Sequence, residues 1–529
     1  MAAVFLLALT AVSFASVRPT NFGGSDEWLC ISLVSRGILD FPYANRPLNL
    51  VWELPAWWLF PDRLVGFLLF HALWIGLGGL LVFLVIRRLL PGATPLGFLA
   101  GAFAIVWAPG DGTRLCSVHM IVYSGCTFGA LLALWLLMEA WSRRRLALAV
   151  GALAAATVAA LSTEAALAPL AMVPVILVVA GRREPRRLVV WTLVIVLGLA
   201  AGGLRAVLPF WIHPERVSYQ TGFVEGGLRP VEMVARSFRQ LRRHVVPAVE
   251  PPTGEGLSAM VPIAVLLFAV GLAATSWRAR KRPDEAQPTG ATRPGLLVAA
   301  GVGCLWALAS YLPLVATTRG AMRTQFLSGA GVAVLLAAAV VGAASLLPKR
   351  ARLAAAGLLG AWIVAVGVQR TVAFQASWET WSAYPAQRRS LLELTAIAPD
   401  LAPGTLVVLL QRHGAWPFDL TFRHAVLYLY EGRAAGHVVG ADPLLYDTLF
   451  EAGGIRSVPV PVVRGPWREE VVLYPYESVV AVREDDSGRL QLLETWPEEL
   501  APLPLGAAYA PRSRLLAGAR PRRSTILGP

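Results

Sequence analysis

Eleven apolar runs, most of them close to the length of a bilayer's hydrocarbon core, leave this chain few ways to fold. They read approximately as 2–17, 64–86, 96–108, 119–141, 146–162, 165–180, 188–208, 257–276, 295–316, 325–347 and 353–370. A span takes roughly 20 apolar residues, so each run is read as a membrane helix. The third, fifth and sixth are short and are read as tilted or partly re-entrant. Composition agrees: 56% of the 529 residues are hydrophobic and 15% are charged, where a soluble domain carries about 25% charged residues.

The net charge of +14 is concentrated in five short clusters. These are Arg87-Arg88; Arg143 to Arg145; Arg182, Arg183, Arg186 and Arg187; Arg278, Arg280, Lys281, Arg282 and Arg293; and Lys349, Arg350 and Arg352. They contain 17 cations and three acids (Glu184, Asp284, Glu285), which is the whole excess. With the N-terminus inside, every cluster falls on a cytoplasmic turn, as the positive-inside rule requires. The basicity is thus a topology signal and gives no reason to expect nucleic acid. The first run lacks a charged n-region and is read as a retained span. Its small-x-small Ser13-Phe14-Ala15 would otherwise suit signal-peptide cleavage. Either way residues 18–62 lie outside, as does everything after the last span.

The expected fold is an α-helical polytopic membrane protein of about 11 transmembrane helices over residues 1–370, with a small external α/β domain over 371–529. Two other external segments are long, 18–62 and 209–256. Within the second, Val231, Val234, Phe238, Leu241 and Val245 recur at helical spacing, and Arg236, Arg239, Arg242, Arg243 and His244 take other positions. This predicts a basic amphipathic helix in the outer interface, serving either as an anchor or as a rim that attracts phosphate. In the last domain Leu406–Leu410 reads as a buried strand and 420–431 as a short helix. Ser478–Val482 and Leu490–Glu494 read as a hairpin turning at Asp485-Asp486-Ser487-Gly488. Residues 512–523 read as a loose basic tail. Cys30, Cys116, Cys126 and Cys304 show neither metal spacing nor a CxxC pair. The first three fall near the outer face, where a disulfide or simple packing are both open.

The informative ionisable residues are those at the outer ends of spans, because charges there must pair or serve a polar substrate. They are Asp26 and Glu27 after the first span, Arg46 later in that loop, and His119 at the start of the fourth span. Glu164 lies in the turn between the fifth and sixth spans, and Arg319 and Arg323 before the tenth. Ser25 or Asp26 is well placed to cap a helix running from Glu27 through Leu39. The same placement suits a carboxylate that takes a proton from an acceptor hydroxyl. Glu164 reads either as a solvated turn residue or as a group orienting an acceptor or an ion. His119 has no settled role. Arg319 and Arg323 suit interfacial snorkelling or a phosphate, which guanidinium binds through paired charge-assisted bonds. His71 reads as an inter-helix hydrogen bond.

An acid pair at the head of a large first external loop, Asn45-Arg46-Pro47-Leu48, the stretch Ser162-Thr163-Glu164 through Leu170, and Arg323 through Gly331 occur here in that order and on one side. This pattern resembles the polytopic GT-C glycosyltransferases, nearest the bacterial mannosyltransferase and lipid A sugar-transferase types. The resemblance covers roughly residues 1–340. It implies two amphipathic helices in the first loop, a polyprenyl-phosphate-linked sugar as donor, and inversion at the anomeric carbon. It places the catalytic carboxylate on Asp26, with Glu27 beside it. Glu164 and His119 would orient an acceptor or ion, and Arg323, Arg319 and Arg46 would meet the donor phosphate. The family often has a Lys before the later Glu, where this chain has Thr163. No cofactor is fixed and no metal ligand set is assigned; a divalent cation beside Asp26 and Glu27 stays open. Expected partners are the lipid-linked donor, the bilayer, and an acceptor that is a glycan, a lipid or a protein. Expected placement is the bacterial cytoplasmic (inner) membrane, with the C-terminal domain outside. The rival readings are a transporter or flippase, which would place charges near the midplane of related halves, and a non-catalytic envelope scaffold.

Overall fold

The computed structural model describes residues 1–18, 26–41, 46–109, 117–179, 184–212, 230–250, 256–280, 293–315, 326–443, 445–459, 471–516 and 526–527. The chain opens with α1 (Ala2–Ser13), and the first loop carries α2 (Glu27–Ser35) and α3 (Leu54–Leu59). Then follow α4 (Leu64–Leu89), α5 (Thr94–Val106), α6 (Ile121–Arg143), α7 (Leu146–Ser162), α8 (Leu167–Ala171), α9 (Val173–Val179) and α10 (Pro185–Ile212). Helix α11 (Pro230–Val245) lies in the next long connection. The bundle closes with α12 (Met260–Arg280), α13 (Arg293–Val315), α14 (Ser328–Ser345) and α15 (Arg352–Trp381).

Helices α4, α6, α10, α12, α13, α14 and α15 are long and apolar enough to cross a membrane. Helix α6 is extended backward to Val118 by a 3-10 turn. Helices α1, α5 and α7 and the α8–α9 pair are shorter apolar segments. Together they coincide with the eleven expected spans, and the chain is a multi-pass membrane protein. Helix α15 runs on to Trp381, eleven residues past the expected end of the last span. Sequential helices pack as antiparallel pairs, α4 with α5, α6 with α7, and α13 with α14. The α13–α14 contact depends on bare backbone: a Cβ on Gly331 would overlap Gly303 O and Ala307 N. Small residues replace a hydrophobic driving force that lipid cannot supply. At the basic end of the bundle, Glu139 draws Arg88 Nε to 3.3 Å and Arg143 Nε to 2.6 Å.

The C-terminal unit comprises α16 (Tyr384–Ile397), β1 (Thr405–Leu410), α17 (Asp419–Leu429), β2 (Ala434–Val438), β3 (Tyr446–Glu451), β4 (Gly454–Pro459), β5 (Val472–Tyr474), β6 (Val479–Glu484) and β7 (Leu490–Leu492). One sheet has the order β2-β1-β6-β7, with β1 parallel to both neighbours, and β3-β4-β5 form a second, antiparallel sheet. The β6–β7 hairpin turns where expected. Asp485 Oδ1 accepts from the backbone N–H of Ser487 (2.8 Å) and Arg489 (3.0 Å), and Gly488 takes φ +80°. The first loop and this unit share one hydrophobic core, in which Trp28, Leu29 and Leu33 pack with Leu391, Trp416, Phe422 and Tyr428.

Candidate functional site

Helix α2 begins at the acid pair. Asp26 occupies the N-cap position without its side chain accepting a capping bond, and it is half-buried. The capping role open to it in the sequence is therefore not used. Glu27 is fully buried. Its Oε1 lies 2.5 Å from His119 Nδ1, with that ring N–H as donor, and Ser117 Oγ is 3.3 Å from the same nitrogen. Its Oε2 is buried and has no hydrogen-bond partner. The helix ends at Ser35, short of the expected Leu39.

Arg46 and Glu164, 118 residues apart, meet fork to fork. Arg46 Nε donates to Glu164 Oε2 at 2.8 Å and Nη2 donates to Oε1. Burial alone would lower the pKa of Arg46, but the Glu164 carboxylate and the Tyr123 hydroxyl more than offset it and raise it. Around this pair the two loop motifs are stitched together. Asn49 Nδ2 donates to Ser162 O (3.0 Å), Trp52 Nε1 donates to Ser162 Oγ (2.9 Å), and that hydroxyl donates to Leu48 O (3.0 Å). The Trp52 ring lies so flat on α6 that a Cβ on Gly125 would overlap it. Ser162 thus serves as the hub that joins Leu48, Asn49 and Trp52 to the turn carrying Glu164.

The Glu27–His119 and Arg46–Glu164 pairs are neighbours through α6. His119 faces Glu27 and Tyr123 faces Arg46, and these two residues are four positions apart on one continuous span. Four residues rise about 6 Å, one turn along the same face. Asp26, Glu27, His119, Arg46 and Glu164 therefore gather at one end of the bundle, the end opposite the basic turns.

Sequence reasoning passed over Glu53. It is fully buried in the first loop, and neither carboxyl oxygen has a hydrogen-bond partner. Burial pushes its pKa well above the ordinary carboxylate value, against a smaller opposing effect of its own backbone N–H. The signal was a single Glu inside an aromatic run, Trp52-Glu53-Leu54-Pro55-Ala56-Trp57. An ionised group there would be costly, so Glu53 is held as the neutral acid.

Arg319 and Arg323 lie outside the described residues, as does Cys116. Cys30 and Cys126 are buried, and Cys126 Sγ donates to Ala159 O at 3.5 Å. His71 makes the inter-helix bond expected of it, with Ser124 Oγ 3.0 Å from Nδ1. Helix α11 forms over the expected residues but has three faces rather than two. Val231, Val234 and Phe238 are exposed on one side, where lipid would lie. Ser237, Gln240 and His244 are buried against the bundle, with His244 Nδ1 2.8 Å from Tyr311 Oη and 3.3 Å from Ser328 Oγ. Arg236, Arg239, Arg242 and Arg243 occupy the remaining arc. Among the described residues no group of three or more His, Cys, Asp or Glu side chains is placed to hold a metal ion.

No protein-family model matches the chain, and no curated protein matches it. Solved structures do. The apo oligosaccharyltransferase of Archaeoglobus fulgidus aligns at 15% identity with a TM-score of 0.44, covering 84% of this chain and 65% of that one. AglB from A. fulgidus, in complex with an inhibitory peptide and a dolichol-phosphate, aligns at 14% identity and TM-score 0.43, covering 84% and 64%. ArnT from Cupriavidus metallidurans bound to undecaprenyl phosphate aligns at 18% identity and TM-score 0.39, covering 83% and 85%. The present chain spans a little under two thirds of the length of the two A. fulgidus chains. The likeness is loose, and the site residues stand on this chain's own geometry.

Proposed function

We propose that this chain is an inverting glycosyltransferase that moves a sugar from a polyprenyl-phosphate donor to an acceptor hydroxyl at the outer face of the cytoplasmic membrane. The observation that carries this reading is the acid pair at the start of α2. One carboxylate, Glu27, is locked into the bundle by His119, and its neighbour Asp26 is left partly accessible at the membrane end. A half-buried carboxylate at a fixed helix start suits a general base.

In this mechanism Asp26 takes the proton of the acceptor hydroxyl as its oxygen attacks the anomeric carbon. The bond from that carbon to the phosphate oxygen breaks, and its electron pair leaves with the polyprenyl phosphate. Attack opposite the leaving group inverts the centre. Phosphate leaves without protonation, so no second carboxylic acid is needed, unlike inverting glycoside hydrolysis. The developing phosphate charge calls for cations, and Arg319, Arg323 and the basic arc of α11 are the proposed source. Two donor atoms of Arg46 are spent on Glu164, so its proposed part is to hold the loop and offer the phosphate only what remains of its fork. Glu164 in turn keeps the buried guanidinium compensated. A transporter reading gains no support from charges gathered at one end of the bundle.

The test is sugar transfer by the purified protein in detergent, with a panel of polyprenyl-phosphate sugars and an envelope extract as acceptor. The reading expects one donor to be consumed, polyprenyl phosphate to appear in equal amount, and the product to carry the opposite anomeric configuration. Retention of configuration would overturn the single displacement. Consumption of no donor by folded protein would overturn the transferase.

A further inference from the structure

Helix α2 is gripped from two sides. Glu27 and Trp28 are consecutive, so their side chains leave the helix about 100° apart. Glu27 is held by His119 on the bundle side. Trp28 is held by the C-terminal unit: it is completely buried, and its Nε1 donates to Gln387 Oε1 at 2.9 Å. Gln387 is also fully buried and donates from Nε2 to Ala415 O at 3.1 Å. The rings of Trp416 and Tyr428 lie 6.4 and 6.1 Å from that of Trp28, and Trp416 Nε1 donates to Ser390 Oγ at 3.2 Å.

The grip extends along the loop. His424 Nδ1 lies 3.3 Å from Ser32 Oγ on α2. Tyr428 Oη donates to Asp62 Oδ1 at 2.5 Å, and Asp62 takes the left-handed φ of +58° in the turn into α4. Helix α17 therefore holds both α2 and the turn that closes the first loop. A nine-residue helix has too few bonds to hold a position alone, so α2 sits where its neighbours put it.

We propose that the C-terminal domain is part of the machinery that places the acid pair, with Gln387 as a positioning residue acting through Trp28. This rests on Asp26 and Glu27 being the reacting carboxylates. The domain is then more than an appendage for recognising acceptors: it forms one wall of the socket for the helix that carries the base. Gln387 touches neither acid, so its removal should shift their placement and spare donor binding. Small misplacements of a reacting group weaken turnover far more than affinity.

The test uses the full-length chain with Gln387→Leu, which strands the Trp28 N–H, and Gln387→Leu/Trp28→Phe, which removes the stranded donor as well. Arg483→Ala, in an exposed ion pair with Glu499, is the control within the domain. Two readouts are taken: kcat and donor KM, and amide hydrogen exchange over residues 27–35. The expected result for Gln387→Leu is a kcat lowered roughly tenfold with KM within about twofold. Exchange should be faster over 27–35 but unchanged over α4 and α6. The double variant should recover part of the loss, and Arg483→Ala should match the parent. Unchanged exchange over 27–35, or kcat and KM moving in step with a general loss of folded protein, overturns the positioning role. If the parent protein transfers no sugar, the transferase reading fails, and exchange over 27–35 alone decides whether the domain holds the helix.

Discussion

Arg46 and Glu53 lie seven residues apart in one loop and meet burial in opposite ways. Arg46 stays charged because Glu164 and Tyr123 face it. Glu53 has no such partner and is kept neutral by burial. The pH dependence follows from the sign. The folded-state pKa of Glu53 is raised above its unfolded value of about 4.3. Its contribution is best below that pH and worsens as pH rises, until the folded group itself ionises. Replacing it with an apolar side chain of similar length removes both this penalty and two unsatisfied oxygens. Glu53→Met should therefore stabilise the protein by about 1–2 kcal/mol at pH 7.5, with a smaller gain at pH 4.5, as measured by thermal unfolding in detergent. A gain that does not change with pH would contradict a neutral buried acid. The acid pair and the Arg46 motif were legible as residues, since charges at span ends stand out against apolar runs. Glu53 was not, because one Glu among aromatics reads equally well as an interfacial side chain.

Helices α2, α11 and α17 show where local pattern stops informing. The start of α2 was readable from Asp26-Glu27, but its end was not, because the loop beyond it follows tertiary contacts. The helical period of α11 was readable, yet its buried face consists of Ser237, Gln240 and His244. The bonds of His244 to Tyr311, Ser328 and Gln240 account for a polar arc that turns inward. In α17, His424 is buried, and burial, Arg423 and Arg36 in that order hold its pKa well below the usual histidine value. A depressed histidine stabilises the folded state above its unfolded pKa of about 6.5 and loses that contribution as pH falls below it. The contact between α17 and α2 should accordingly loosen in acid. Exchange over 27–35, corrected for intrinsic rate, should be faster at pH 5 than at pH 7.5, and His424→Gln should flatten the difference. An equally large difference in that variant would place the acid sensitivity elsewhere. Strands β2 to β4 were missed because five or six residues with Gly, Arg or Asp inside carry little alternation, and β5 because three residues are too few to show any.

For the whole molecule, the membrane dictates most of what could be read in advance. Lipid sets the length of each span and the positive-inside rule sets its direction, so eleven runs and five basic turns are enough to lay out the bundle. Neither rule says how an external domain meets a loop. The shared core of the first loop and the C-terminal unit arises from Trp28, Trp416 and Tyr428, residues 388 or more positions apart for the distal pairs, and no local pattern announces it. The resulting molecule holds its acid pair between a membrane bundle and the C-terminal sheet unit, with the Arg46–Glu164 pair one turn away along α6. The most direct test of this account is single-turnover release of polyprenyl phosphate from the accepted donor, comparing the parent with Asp26→Asn and Glu27→Gln at equal folded concentration. The account predicts that Asp26→Asn lowers the rate by a factor on the order of 10²–10⁴ with donor affinity kept, and that Glu27→Gln, which weakens the hold of His119, has a smaller effect. Full activity in Asp26→Asn, with the loss confined to Glu27→Gln, would contradict the assignment of the base.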